Sequence, residues 1–72
     1  MEDKAKIARN FAEVLKMTVA FYDLQDLTYA KTNEDEEFVL AEFKNGRTKK
    51  INVHWDSGIA MIRDILKAFN EE

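Results

Sequence analysis

Cysteine and proline are both absent from this sequence of 72 residues, glycine occurs twice and histidine once. Without cysteine there is no disulfide, no thiolate nucleophile and no thiolate metal site. A zinc site would have to rest on His54 and carboxylates alone, a poor donor set. No metal and no cofactor are therefore expected. Gly46 and Gly58 lie far apart, so no glycine-rich loop is available to cradle a phosphate. The longest apolar stretch, around Met17 to Tyr22, is much too short to span a bilayer. The start, Met1-Glu2-Asp3-Lys4, does not read as a signal peptide. No membrane partner is expected, and the cytoplasm is the default setting.

What the chain does contain is a globular mixture, 46% hydrophobic and 35% charged. Its length fits one domain, residues 1–72, close to the lower size at which a core offsets chain entropy. Stability must come from packing, within the chain or between chains. A net charge of −3 opposes non-specific attraction to nucleic acid or an anionic membrane.

Residues 3 to 22 carry the clearest pattern. At 100° per residue, Ile7, Ala8, Phe11, Ala12, Val14, Leu15, Thr18, Val19 and Tyr22 share one half of a helix. Lys6, Arg9, Glu13 and Lys16 share the other half, and Asp3 stands at the N-cap position. The pattern breaks at Asp23-Leu24-Gln25-Asp26.

Asn45-Gly46 marks a hairpin, because a two-residue type I′ turn needs positive φ at both central positions. The flanking segments, 38–44 and 47–55, alternate as strands do. A two-residue turn sets Glu42 opposite Lys49, Leu40 opposite Ile51 and Phe38 opposite Val53. The predicted core face is then Phe38, Leu40, Ile51, Val53 and Trp55. An earlier strand over 27–32 would add Leu27 and Tyr29 to that face, with Thr28, Ala30 and Thr32 opposite. A closing helix, capped by Asp56 or Ser57, offers Ile59, Ile62, Ile65, Leu66 and Phe69 as its apolar stripe. Two amphipathic helices and one strongly apolar sheet face define an α+β two-layer sandwich. Its order is α-β-β-β-α, with a three-stranded antiparallel meander and both helices on one face.

Chemistry is hard to assemble from this inventory. Ser57 reads as a helix cap, and His54 reads as a surface histidine rather than a general base. The run Glu34-Asp35-Glu36-Glu37 lacks the spacing and glycine of a calcium loop. An enzyme is not expected, and no catalytic residue is assigned.

Two surfaces remain. Lys44, Arg47, Lys49 and Lys50 cluster around the turn and are the one local hint of an anionic partner, although charges there also protect strand edges. The element order is similar to that of double-stranded-RNA-binding domains. Those domains carry a Gly-Pro-x-His-type loop between the first two strands and a lysine-rich start to the second helix. Here the loop is Asn33-Glu34-Asp35-Glu36-Glu37 and the helix begins Asp56-Ser57-Gly58-Ile59-Ala60. Both presumed contact regions are acidic or neutral where phosphate contacts need lysine. Nucleic-acid binding is therefore the alternative reading. The first reading is a non-enzymatic protein-interaction module that docks a protein partner or a second copy of itself. Its expected interface is the open sheet face, centred on Val39, Ala41 and Phe43 with Thr28, Ala30 and His54 at the margin.

Overall fold

The computed structural model describes residues 3–70. The chain runs α1 (Lys4–Lys16), a 3-10 turn (Val19–Phe21), β1 (Leu24–Lys31), β2 (Glu37–Phe43), β3 (Thr48–Asn52) and α2 (Gly58–Asn70). The strands form an antiparallel meander in the order β1-β2-β3. Both helices cover one face, α1 over β1 and α2 over β3. This is the expected α+β two-layer architecture.

Asp3 caps α1 by accepting from the Lys6 N–H at 3.0 Å. The helix ends at Lys16, six residues earlier than its periodicity predicts. Thr18 donates its hydroxyl and its N–H to the Leu15 carbonyl, at 2.7 and 2.9 Å, which closes the last turn. The β-branched and aromatic run that follows has weak helix propensity, and Val19 and Tyr22 leave the buried face.

The hairpin turn decides the core. Only Gly46 has a positive φ there, +89°, whereas a type I′ turn would demand it of Asn45 as well. Lys44, Asn45 and Gly46 instead make a three-residue loop. The Phe43 N–H donates to the Arg47 carbonyl at 2.9 Å, and the Gly46 N–H donates to the Phe43 carbonyl at 2.9 Å. Asn45 Oδ1 steadies the loop by accepting from the Arg47 N–H at 2.9 Å. One extra loop residue slips the register by one, so Val39 opposes Ile51 and Phe38 opposes Asn52. A slip of one turns every side chain of a strand to its other face. The inward row of β2 is therefore Val39, Ala41 and Phe43, and the outward row is Phe38, Leu40 and Glu42.

The same slip carries into β1, where Leu27 opposes Ala41 and Tyr29 opposes Val39. An irregularity at Gln25 shifts the face again, which lets Leu24 and Leu27, three residues apart, both enter the core. Ile51 and Val53 point inward as expected, but the chain turns after Val53 and leaves Trp55 86% exposed. Ser57 caps α2 by accepting from the Ala60 N–H at 3.2 Å. The face of α2 that meets the sheet is Met61 and Ile65, with Ala68 and Phe69 packed against them. Ile59 and Leu66, expected inside, lie outside.

Candidate functional site

The expected interface needs correcting first. Val39 and Ala41 have no exposed surface, and Phe43 is buried with its ring edge-on to Phe69 at 6.0 Å. The row is the centre of the core under the helices, because the three-residue loop turned it inward. It has no area to offer a partner or a second copy. Thr28 and Ala30 do lie on the open sheet face, beside Leu40 and Phe38. His54 sits in the turn after β3, half-buried, with its ring tilted against Trp55 at 4.8 Å.

The basic cluster is also divided. Lys44 and Arg47 are exposed at the turn, and Arg47 lies over the Phe43 ring at 5.5 Å. Lys49 points to the helix side and donates to the Ala68 carbonyl at 2.7 Å, where it serves the C-terminal end of α2. Lys50 lies on the opposite face, over the Phe38 ring at 4.5 Å. Four neighbours in sequence thus serve three separate places. Anisotropy titrations with duplex DNA should give a salt slope no steeper than about −3, at roughly −0.9 per phosphate contact, since Lys49 is committed to the helix.

One end of the molecule gathers its polar side chains. Glu37, at the start of β2, accepts from Lys4 Nζ at 2.8 Å, from the Tyr29 hydroxyl, and from the Trp55 N–H at 3.3 Å. The Lys4 bond, then the Tyr29 bond, hold the Glu37 carboxyl down to about 2 against the opposing effect of burial. Burial, reinforced by Glu37, pushes the Tyr29 hydroxyl up to about 12. This clasp joins α1, β1, β2 and the turn before α2. All three of its donors are satisfied by one carboxylate, which makes it a structural device.

Beside it, burial pushes the Asp56 carboxyl up to about 6, helped by hydrogen bonding to Asp64 and by that residue's charge. The folded state therefore holds a proton that the unfolded state, at the ordinary 3.8, releases. This group's contribution is complete below about 3.8 and is lost as pH rises through about 6. Asp56→Asn should remove that decline, so urea midpoints of wild type and variant measured from pH 4 to 7 should diverge as pH rises.

Trp55 is the most unusual residue in this region. The Asp56 N–H donates to the Val53 carbonyl at 3.1 Å, closing a turn in which Trp55 is the third residue with φ +67°. Glycine or asparagine ordinarily takes that position, since a bulky side chain there is strained. Its ring nevertheless stands in solvent, so core packing does not explain its presence. Lys31, Glu34, Asp35, Glu37, His54 and Trp55 line a shallow cleft of about 480 Å³ at this end. Left-handed backbone costs a side-chain-bearing residue ~1–2 kcal/mol, and glycine loses ~0.5–1 kcal/mol in chain entropy. Trp55→Gly should accordingly leave stability unchanged or raise it by up to ~1.5 kcal/mol, as read from chemical denaturation.

The apolar surface is distributed unevenly. Val14, Met17, Val19, Tyr22, Trp55, Ile59 and Leu66 are the exposed large apolar residues among those described. Val14, Ile59 and Leu66 lie on the helices, Met17, Val19 and Tyr22 in the connection between α1 and β1, and Trp55 in the turn before α2. Ile59 is 73% exposed and Val14 57%, and Leu66 is also exposed. α2 carries more apolar side chains than the sheet can cover, so Met61 and Ile65 take the core while Ile59 and Leu66 turn out. By sequence periodicity alone, Ile59, Ile62, Ile65, Leu66 and Phe69 fall together in one stripe expected to face the sheet. The open sheet face, by contrast, shows Phe38 and Leu40 only half-buried among Thr28, Lys50 and Asn52.

Among the described residues, no group of three His, Asp or Glu side chains converges as a metal site. No helix there is long and apolar enough to cross a membrane. Comparison with protein-family models, with curated proteins and with solved structures gave no match.

Proposed function

We propose that this chain is a non-enzymatic, cytoplasmic protein-interaction module that docks its partner on the helix layer. The observation that carries the reading is the one-sided apolar surface of α1, α2 and their connections, with Ile59, Leu66 and Val14 exposed. Exposed large apolar side chains gathered on one layer of a small domain suit a partner surface better than open water. A reducing compartment costs a cysteine-free chain nothing, which suits the cytoplasmic setting.

The test is selection of displayed random peptides against the wild-type domain, followed by titration of each selected peptide against Ile59→Lys. Ile59 is exposed, so the variant should fold, which circular dichroism checks. Peptides that lose at least about tenfold in affinity for Ile59→Lys support the reading, in line with the size of interface hot spots. A selection whose binders are indifferent to Ile59→Lys contradicts it.

A further inference from the structure

We propose that the outer edge of β1, beneath the overhang of α1, receives an extended segment of a partner protein as an added antiparallel strand. The proposal goes beyond the helix-layer reading and does not depend on it, because this edge lies on the flank of α1 turned away from α2.

β1 and β3 are the two edges of the sheet. Thr32 donates its N–H to the Glu36 carbonyl directly opposite at 2.8 Å, one step past the Lys31–Glu37 pair. Glu37 turns the other way and accepts from the Val53 N–H at 3.1 Å. Residues of an antiparallel ladder alternate in this respect. Thr28, Ala30 and Thr32 therefore direct their backbone groups to β2, while Leu27, Tyr29 and Lys31 direct theirs outward. Leu27 fits this pattern, since its N–H is met by Asp26 Oδ1 at 2.9 Å. Proteins commonly guard such edges with lysine, proline or short strands. β3 has five residues, two of them Lys49 and Lys50. β1 has eight and no proline, and the run Leu27-Thr28-Tyr29-Ala30 between Asp26 and Lys31 is uncharged. The one irregularity of β1, at Gln25, lies outside that run.

The helix layer leaves room for a strand there. A helix with its side chains is about 10 Å across, and neighbouring strands lie about 4.8 Å apart. α1 sits over β1 itself, so it extends past the edge by about the width of one more strand. Under that overhang Ala5 and Arg9 of α1 and residues 26–29 of β1 line a hollow of about 220 Å³. Ala5 is exposed there and closes the opening with no more than a methyl group. A second copy cannot fill the hollow by pairing through the same edge. Two α1 helices over adjacent β1 strands would lie about 5 Å apart, and packed helices need at least about 8 Å. A bare extended segment brings no helix with it, and main-chain hydrogen bonds to Tyr29 and Lys31 would hold it. Arg9 and Asp26 at the rims are of opposite sign, which favours an uncharged centre. β-branched residues suit such a segment, with valine toward Ala5, Leu27 and Tyr29 and threonine beside Thr28 and Ala30 on the open face.

The test uses the whole domain and a short peptide of alternating valine and threonine, with copies N-methylated on the valine amides or on the threonine amides. Residues bonded across an antiparallel pair share a face, so valines turned to the hollow also carry the amides that meet β1. Fluorescence anisotropy should show affinity falling at least about tenfold on methylating the valines and staying within about twofold on methylating the threonines. Ala5→Trp fills the hollow from an exposed position and should weaken binding at least about tenfold, whereas Ile59→Lys should leave it within about twofold. Circular dichroism checks that both variants fold. On the wild type, the peptide should slow hydrogen exchange at the Tyr29 and Lys31 amides and leave Thr28 and Ala30, already bonded to β2, as they were. That measurement decides the matter if Ala5→Trp does not fold. No binding of the unmethylated peptide, an equal effect of the two methylations, or loss confined to the threonine set overturns the proposal. So does self-association of the wild type that Ala5→Trp abolishes. Loss with Ile59→Lys and none with Ala5→Trp would seat the peptide on the helix layer, overturning this proposal while the helix-layer reading stands.

Discussion

Val39→Asp should unfold the domain at neutral pH, whereas Leu40→Asp, one residue along the same strand, should leave it folded. Val39 has no exposed surface and opposes Ile51 beneath the helices. A carboxylate there would be buried without a partner, at a cost beyond ~4 kcal/mol, the extreme of single-substitution effects. Small domains seldom hold more than ~3–5 kcal/mol in total. Leu40 is half-buried on the open face, between Thr28 and Lys50 in neighbouring strands. Aspartate there keeps access to water and gains a lysine across the strand, so the loss should stay below ~1.5 kcal/mol, within the ordinary range for one substitution. Circular dichroism and urea denaturation of the pair decide the register. A folded Val39→Asp beside an unfolded Leu40→Asp would restore the two-residue turn.

Glu37→Ala should produce the second largest loss, ~2–3 kcal/mol, because it leaves Lys4, the Tyr29 hydroxyl and the Trp55 N–H without their common acceptor. Both members of the Lys4–Glu37 pair are only 15% exposed, so water replaces the lost partner poorly. Wild type should show the same dependence as acid is added. Glu37 is held at about 2 in the folded chain against an ordinary 4.5, so its contribution is complete above 4.5. That contribution is lost as pH falls from 4.5 through about 2. Glu37→Gln, which cannot ionise, should flatten this limb of the stability curve. A wild-type curve as flat as that of the variant over this interval would show that the clasp does not form.

The fold was largely legible in the sequence and the surface was not, for a reason that lies in two short segments. Asp3, Ser57 and the amphipathic period of 3–16 and 58–70 act locally, so capping and helix formation followed from the residues themselves. The architecture followed from counting apolar faces. The register did not, because Phe38, Val39, Leu40, Ala41 and Phe43 make β2 apolar on both sides. The alternation expected over 38–44 therefore could not say which row is inward, since both rows are largely apolar. The decision passed to Asn45-Gly46, a dipeptide that serves a two-residue turn and a three-residue loop alike. The loop chosen put Val39, Ala41 and Phe43 in the core and Phe38 and Leu40 outside.

The outward side of α2 was misread for a similar reason. Ile59, Ile62, Ile65, Leu66 and Phe69 read as one buried stripe, yet the sheet has room for the arc centred on Met61 and Ile65. Which part of a wide apolar arc is left over depends on how the helix sits on the strands, and no local rule sets that. Trp55 is a different case. Its position after Val53 suggested a continuing strand, and only the turn closed by Asp56 reveals the left-handed backbone and the exposed ring.

The helix-layer account stands or falls on one comparison: the affinity of peptides selected on the wild-type domain for Ile59→Lys and for Leu40→Lys. Both substitutions place a lysine at a position with access to water, one on α2 and the other on the open sheet face. The account expects Ile59→Lys to weaken binding at least about tenfold and Leu40→Lys to leave it within about twofold. Loss with Leu40→Lys and none with Ile59→Lys would place the docking face on the sheet and contradict it.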